Sequence, residues 1–149
     1  MSGTPAAVEI ADRDIRAYET DGVVCLRGRF GRDWIDRMYA ATDRVIATGK
    51  GQVREGTKPG EPGRFYANIF MATWDAAFRE FALRSPAAEI AARLLRQKRV
   101  NFFYDQLFVK EPNTQAPTFW HQDLPYWPFR GSDIVSIWVA LTDVSVETS

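Results

Sequence analysis

His121 and Asp123 are separated by one residue in Thr118-Phe119-Trp120-His121-Gln122-Asp123-Leu124-Pro125-Tyr126-Trp127-Pro128, and His121 is the chain's single histidine. On an extended segment side chains alternate faces, so residues i and i+2 point the same way and their donor atoms can converge on one ion. An imidazole nitrogen and a carboxylate oxygen presented together suit Fe(II), Mn(II) or Zn(II). With open positions on the metal, they are two of the three donors of the two-histidine, one-carboxylate facial triad. The second histidine of such a triad is not in this sequence. His-x-Asp also has a plainer reading, as a hydrogen-bonded histidine beside a tryptophan-rich turn.

The elements that must position this pair are three β-rich runs. Strands are predicted over roughly 100–110, 118–123 and 134–143, separated by the turn-like Glu111-Pro112-Asn113-Thr114 and Arg130-Gly131-Ser132-Asp133. In the first run the period of two places Tyr104, Gln106, Phe108 and Lys110 on one face, with Gln106 and Lys110 its polar members. In the third, Ser136, Trp138 and Ala140 share a side. Thr118 and Trp120 alternate with His121 and are expected to be packing residues.

The first hundred residues read mainly as helix. Residues 1–10 are expected to be a loosely held lead-in. A short helix capped by Asp12 runs through Ile15 and Tyr18 to Asp21-Gly22, and Gly22 to Leu26 reads as a strand. Apolar residues at Trp34, Ile35, Met38, Ala41, Val45 and Ile46 predict an amphipathic helix from Asp33 to about Ala47. The glycine- and proline-rich stretch from Gly51 to Gly63 is a loop, either a lid over the site or a plain connection. Arg64 to Met71 reads as extended. Two helices follow, the first starting near Trp74-Asp75 and ending at Arg84-Ser85, the second capped by Ser85 with Pro86 in its first turn and running from Ala87 to Leu95. The basic Arg93, Arg96, Lys98 and Arg99 complement the dipole at its end.

Composition sets further limits. At 149 residues the chain is long enough to bury a core, and 46% hydrophobic with 26% charged residues is ordinary for a globular protein. Lys+Arg and Asp+Glu both number 19, a balance that argues against a nucleic-acid or anionic-membrane binder. The single Cys25 excludes an intrachain disulfide framework and fits a reducing cytoplasm. It sits in Val23-Val24-Cys25-Leu26, where a buried strand position is expected. No signal peptide or membrane span is visible, and a cytoplasmic location is the expectation.

The runs Tyr104-Asp105-Gln106-Leu107-Phe108-Val109-Lys110-Glu111-Pro112, Pro117 to Pro128, and Ser136-Ile137-Trp138-Val139-Ala140-Leu141 together resemble the phytanoyl-CoA dioxygenase family. The resemblance is dense from about Asn101 to Val144 and looser before it. It implies an oxidoreductase that depends on Fe(II), with 2-oxoglutarate as cosubstrate, built on a double-stranded β-helix, or jelly roll. It implies His121 and Asp123 as metal ligands, and Gln106, Lys110 and Trp138 as residues that meet the cosubstrate or substrate. For Lys110 the alternative is a solvent-exposed strand end beside Glu111, and for Trp138 a buried core position. Tyr126, Trp127 and Phe129 would line an apolar substrate pocket. The activity implied is hydroxylation of a small or acyl-CoA-like organic substrate by O2, with 2-oxoglutarate converted to succinate and carbon dioxide. The retained Asp123 favours hydroxylation over halogenation.

The family also implies a glycine-rich segment, a distal histidine and an arginine, none of which follows Val144 here. The expected fold is therefore α+β: a mainly helical region over 1–99, then the first jelly-roll strands over 100–149, as one incomplete dioxygenase domain. Little or no activity is expected of these 149 residues alone. Two other readings stand beside it: a non-catalytic or pseudoenzyme domain acting in interaction, and a metal-binding β-domain whose further ligands come from a second chain. Oligomeric state is left open.

Overall fold

Helical spacing of apolar side chains fixes the amino-terminal architecture of the computed structural model, which describes residues 8–128 and 130–146. Helix α1 spans Asp12–Asp21 and buries Ile15. Asp12 does not cap it. The N-cap is Ala11, and Asp12 and Asp14 lie in the first turn, where carboxylates favour the dipole. Helix α2 spans Arg32–Thr48 and buries Met38, Ala41, Thr42 and Val45, one stripe at intervals of three and four. Both helices stop at glycines, Gly22 at φ 74° and Gly49 at φ 60°, in the left-handed region that residues with a Cβ avoid.

Helix α3, Ala76–Arg84, begins at Asp75, whose carboxylate accepts from the Ala77 and Phe78 N–H groups. Ser85 Oγ then accepts from Ala87 N–H at 3.3 Å, Pro86 follows it, and helix α4 runs over Ala87–Leu94. Three antiparallel strands complete the elements: β1 Arg54–Glu55, β2 Phe65–Ile69 and β3 Gln106–Lys110, in the order β1-β2-β3. The register sets Phe65 opposite Lys110 and Ala67 opposite Phe108. Tyr66, Asn68 and Leu107 are buried on the face toward the helices, while Gln106, Phe108 and Lys110 are exposed.

Two apolar clusters hold these elements together. The larger joins Met38, Ala41 and Val45 of α2 to Tyr66, Met71, Phe78 and Leu107. The smaller joins Ile10 and Ile15 to Ile90 and Leu94, and Val24, Leu26, Val135 and Ile137 pack against it. Ile10 is 8% exposed, so the last part of the expected loose lead-in belongs to a core; residues 1–7 lie outside the described residues.

The α+β class holds, with fewer strands than the sequence predicts. The run expected over 100–110 is a strand only from Gln106 to Lys110. None of 22–26, 118–123 or 134–143 is a strand. Alternation shows which residues prefer extended backbone, but a strand exists only where a neighbour completes its hydrogen-bond ladder. Among the described residues the backbone of 134–143 has no backbone hydrogen-bond partner. Side chains hold it instead: Val135 and Ile137 lean on the smaller cluster and Leu141 on the larger. Segment 118–123 follows Pro117 and ends where Asp123 turns to φ −70°, ψ −35°, ahead of a 3-10 turn at Leu124–Tyr126.

Two burial expectations are corrected. Cys25 is exposed, because Val24 and Leu26 take the inward positions of the same alternation. Trp120 is fully exposed rather than packed, since no sheet forms beneath segment 118–123 to receive it.

Candidate metal centre

The two donors of the His-x-Asp motif converge. His121 Nε2 lies 3.3 Å from Asp123 Oδ1. Two donors each about 2.1 Å from one ion, at the angles of octahedral or tetrahedral coordination, stand roughly 3.0–3.4 Å apart. The observed separation falls in that interval.

The other imidazole nitrogen is also engaged. His121 Nδ1 lies 2.6 Å from the Phe119 carbonyl oxygen, which can only accept, so Nδ1 carries the proton. With Nδ1 occupied in this way, Nε2 is the ring nitrogen left to serve as a donor to a metal. Metal-binding histidines are commonly oriented in this way, through a bond from the distal N–H to a carbonyl. The Tyr126 ring meets the imidazole edge-on, with centroids 6.3 Å apart. Asp123 is held on its far side, where Ser136 Oγ donates to Oδ2 at 3.2 Å.

A second group of contacts ties this loop to β3. Trp127 Nε1 donates to the Tyr104 hydroxyl at 3.3 Å, and that hydroxyl donates to Gln106 Oε1 at 3.2 Å. Tyr104 also lies edge-on to Trp127 and against Phe70. The start of β3 is anchored by Asp105, whose carboxylate accepts from Ala72 N–H at 3.1 Å. Burial pushes the Asp105 carboxyl above the usual range, against the pull of that N–H group.

The other sequence candidates are placed as follows. Gln106 is linked through Tyr104 and Trp127 to the segment that carries His121 and Asp123. Lys110 is exposed, with Nζ 5.4 Å from the ring centroid of Phe65, its partner on β2, so it lies over an aromatic face and is not paired with Glu111. Trp138 is 70% exposed and not a core residue, because segment 134–143 turns Val135 and Ile137 inward and leaves Trp138 outside. Trp127 lines a cleft of about 440 Å³ with Gln122, Leu124, Pro125, Pro128 and Arg130. Phe129 lies outside the described residues.

Two contributors escape a reading of motifs. The Phe119 carbonyl has no sequence signature, because any residue supplies one. Ser136 had a faint signal: it falls between two inward-facing apolar residues, on the side of Trp138.

A sequence model of the phytanoyl-CoA dioxygenase family matches residues 18–149. The chain belongs to that family. No curated protein and no solved structure matches it. The phytanoyl-CoA dioxygenase family generally uses Fe(II) and 2-oxoglutarate, which places the chain with the oxidoreductases of that superfamily. The imidazole and carboxylate of this family member fit two positions of a facial triad in donor type and spacing. Among the described residues no third histidine, cysteine or acidic side chain joins them. No helix among the described residues is long and apolar enough to cross a membrane.

Proposed function

We propose that this chain carries the His-x-Asp half of an Fe(II)- and 2-oxoglutarate-dependent hydroxylase site, with His121 Nε2 and Asp123 Oδ1 as the metal donors. The observation that carries the reading is the arrangement around the imidazole: Nδ1 lies 2.6 Å from Phe119 O and Nε2 lies 3.3 Å from a carboxylate oxygen. When bound, the metal and 2-oxoglutarate supply the oxidising power for inserting oxygen into a C–H bond. The chain's own residues bind and orient. His121 and Asp123 present two adjacent donors, and Phe119 keeps the imidazole proton on Nδ1. Gln106 offers an amide toward the cosubstrate, and Lys110 an ammonium for a carboxylate. Trp138 supplies an aromatic wall, and Tyr126 and Trp127 shape the approach for a small or acyl-CoA-like organic substrate.

The sequence holds one histidine, so a second histidine donor would come from polypeptide other than these residues. For the 149 residues alone, weak metal binding and negligible succinate production are therefore the expected result.

The test is Mn(II) titration of the purified chain against His121→Ala and Asp123→Ala. Each substitution is expected to weaken binding by more than about 100-fold, because loss of a ligand should exceed the 10- to 100-fold cost of losing an outer-shell partner. Equal affinity in all three proteins would remove the site. A second reading is a non-catalytic family member acting in interaction or metal binding. What favours it is the exposure of the pair, 45% and 47% at the side chains, together with the missing third donor among the described residues. Succinate release at saturating Fe(II) and 2-oxoglutarate would exclude this second reading.

A further inference from the structure

We infer that Ser136 is a positioning residue for the Asp123 carboxylate, fixing the orientation in which one oxygen faces His121 and the other faces away. The inference rests on the metal reading of His121 and Asp123. It starts from the packing of segment 134–140, which has no hydrogen-bonded ladder among the described residues and is set by its apolar side chains. Val135 and Ile137 pack against Ile10, Ile15, Ile90 and Leu94. On extended backbone the residue between two inward-facing neighbours points outward. Ser136 does so, and its hydroxyl reaches Asp123 Oδ2 at 3.2 Å.

The two oxygens of Asp123 therefore have different partners. Oδ1 lies 3.3 Å from His121 Nε2, and Oδ2 is occupied by Ser136. Rotation about the Cβ–Cγ bond would turn both oxygens toward an ion. The Ser136 hydrogen bond opposes that rotation and favours a carboxylate that would give one oxygen to a bound metal. Outer-shell bonds of this kind tune affinity and geometry without touching the metal.

The experiment compares wild type, Ser136→Ala and Ser136→Thr for Mn(II) affinity and for the water-proton relaxation of bound Mn(II), which reports coordinated waters. Ser136→Ala is expected to bind Mn(II) about 10-fold more weakly, as the carboxylate loses its orientation, and to show an altered number of coordinated waters. Ser136→Thr retains a hydroxyl on a residue suited to extended backbone and is expected to restore both readouts. Thermal midpoints alike in the three proteins separate the effect from misfolding. Wild-type affinity and relaxation in Ser136→Ala, with His121→Ala still losing the metal, would overturn the role of Ser136 alone. Weakening that Ser136→Thr does not restore would assign the effect to packing and overturn it too. Wild type binding no better than His121→Ala would remove the metal reading and this role with it.

Discussion

The carbonyl oxygen of Phe119 lies 2.6 Å from Nδ1 of His121. Two residues apart in sequence, they decide which nitrogen of the ring is free. Metal loading should therefore change the Nε2 resonance while Nδ1 stays protonated, a result readable from nitrogen-15 imidazole spectra with Zn(II). Metal found on Nδ1 would contradict the arrangement.

Lys110 offers a second, separable test. Its ammonium lies over Phe65 on an exposed sheet face, where such a contact contributes about 0.5–1 kcal/mol. Lys110→Ala should lower stability by no more than that. If the ammonium receives a cosubstrate carboxylate, the same variant should weaken 2-oxoglutarate binding roughly 10-fold, the equivalent of about 1.4 kcal/mol. Unchanged 2-oxoglutarate affinity would leave Lys110 with a structural role only.

Asp75 carries a pH-dependent part of the stability. Burial alone would raise its carboxyl, but the Arg44 hydrogen bond and the Phe78 and Ala77 N–H groups outweigh it and hold the carboxyl below the usual range. A folded value below the unfolded one gives stability that is present above about pH 4 and lost as pH falls through the folded value. Asp75→Ala should cost roughly 1–2 kcal/mol at pH 7, mostly as the lost α3 cap, since the Arg44 side chain is half exposed. The gap between variant and wild type should narrow in urea titrations at pH 3.

Asp105 has the opposite sign. Its carboxyl is raised by burial, so its contribution is full below the unfolded value and lost as pH rises through the folded one. Asp105→Asn removes the buried charge and retains an acceptor for Ala72 N–H. The variant should gain on wild type as pH rises from 3 to 7; a gain confined to low pH would refute the assignment.

Tyr104→Phe tests the tie between β3 and the loop that carries His121 and Asp123. The ring contacts with Phe70 and Trp127 remain possible, while the bonds to Trp127 Nε1 and Gln106 Oε1 are lost. A loss of about 0.5–1.5 kcal/mol per hydrogen bond is expected in thermal or urea unfolding.

The helices were legible in the sequence for a local reason. Met38, Ala41 and Val45 form a stripe whose period belongs to a single element, and Gly22 and Gly49 end helices by their own backbone freedom. The strands were less legible because pairing is not local. Val100 to Lys110 is apolar and β-rich over most of its length, yet only Gln106–Lys110 finds β2 as a neighbour. The His121 and Asp123 pair was read from spacing, and its donor atoms do approach each other. They do so on a bend leading into a 3-10 turn and not on a paired strand. The partners of the pair, Phe119 O and Ser136 Oγ, could not be read from the motif, since one is backbone and the other is brought in by packing elsewhere.

The seat of Val135 and Ile137 against Ile10 and Ile15 makes the smaller cluster a mechanical brace running from the first described turn of the chain to the carboxylate at the far end. Trimming the side chain of Ile10 or Ile15 would then register at Asp123 as a loosened grip on metal, transmitted through residues that never approach the ion. Selection for a tight centre would in that case extend to positions more than a hundred residues upstream of it, as apparent from the numbering of Ile10 and Asp123.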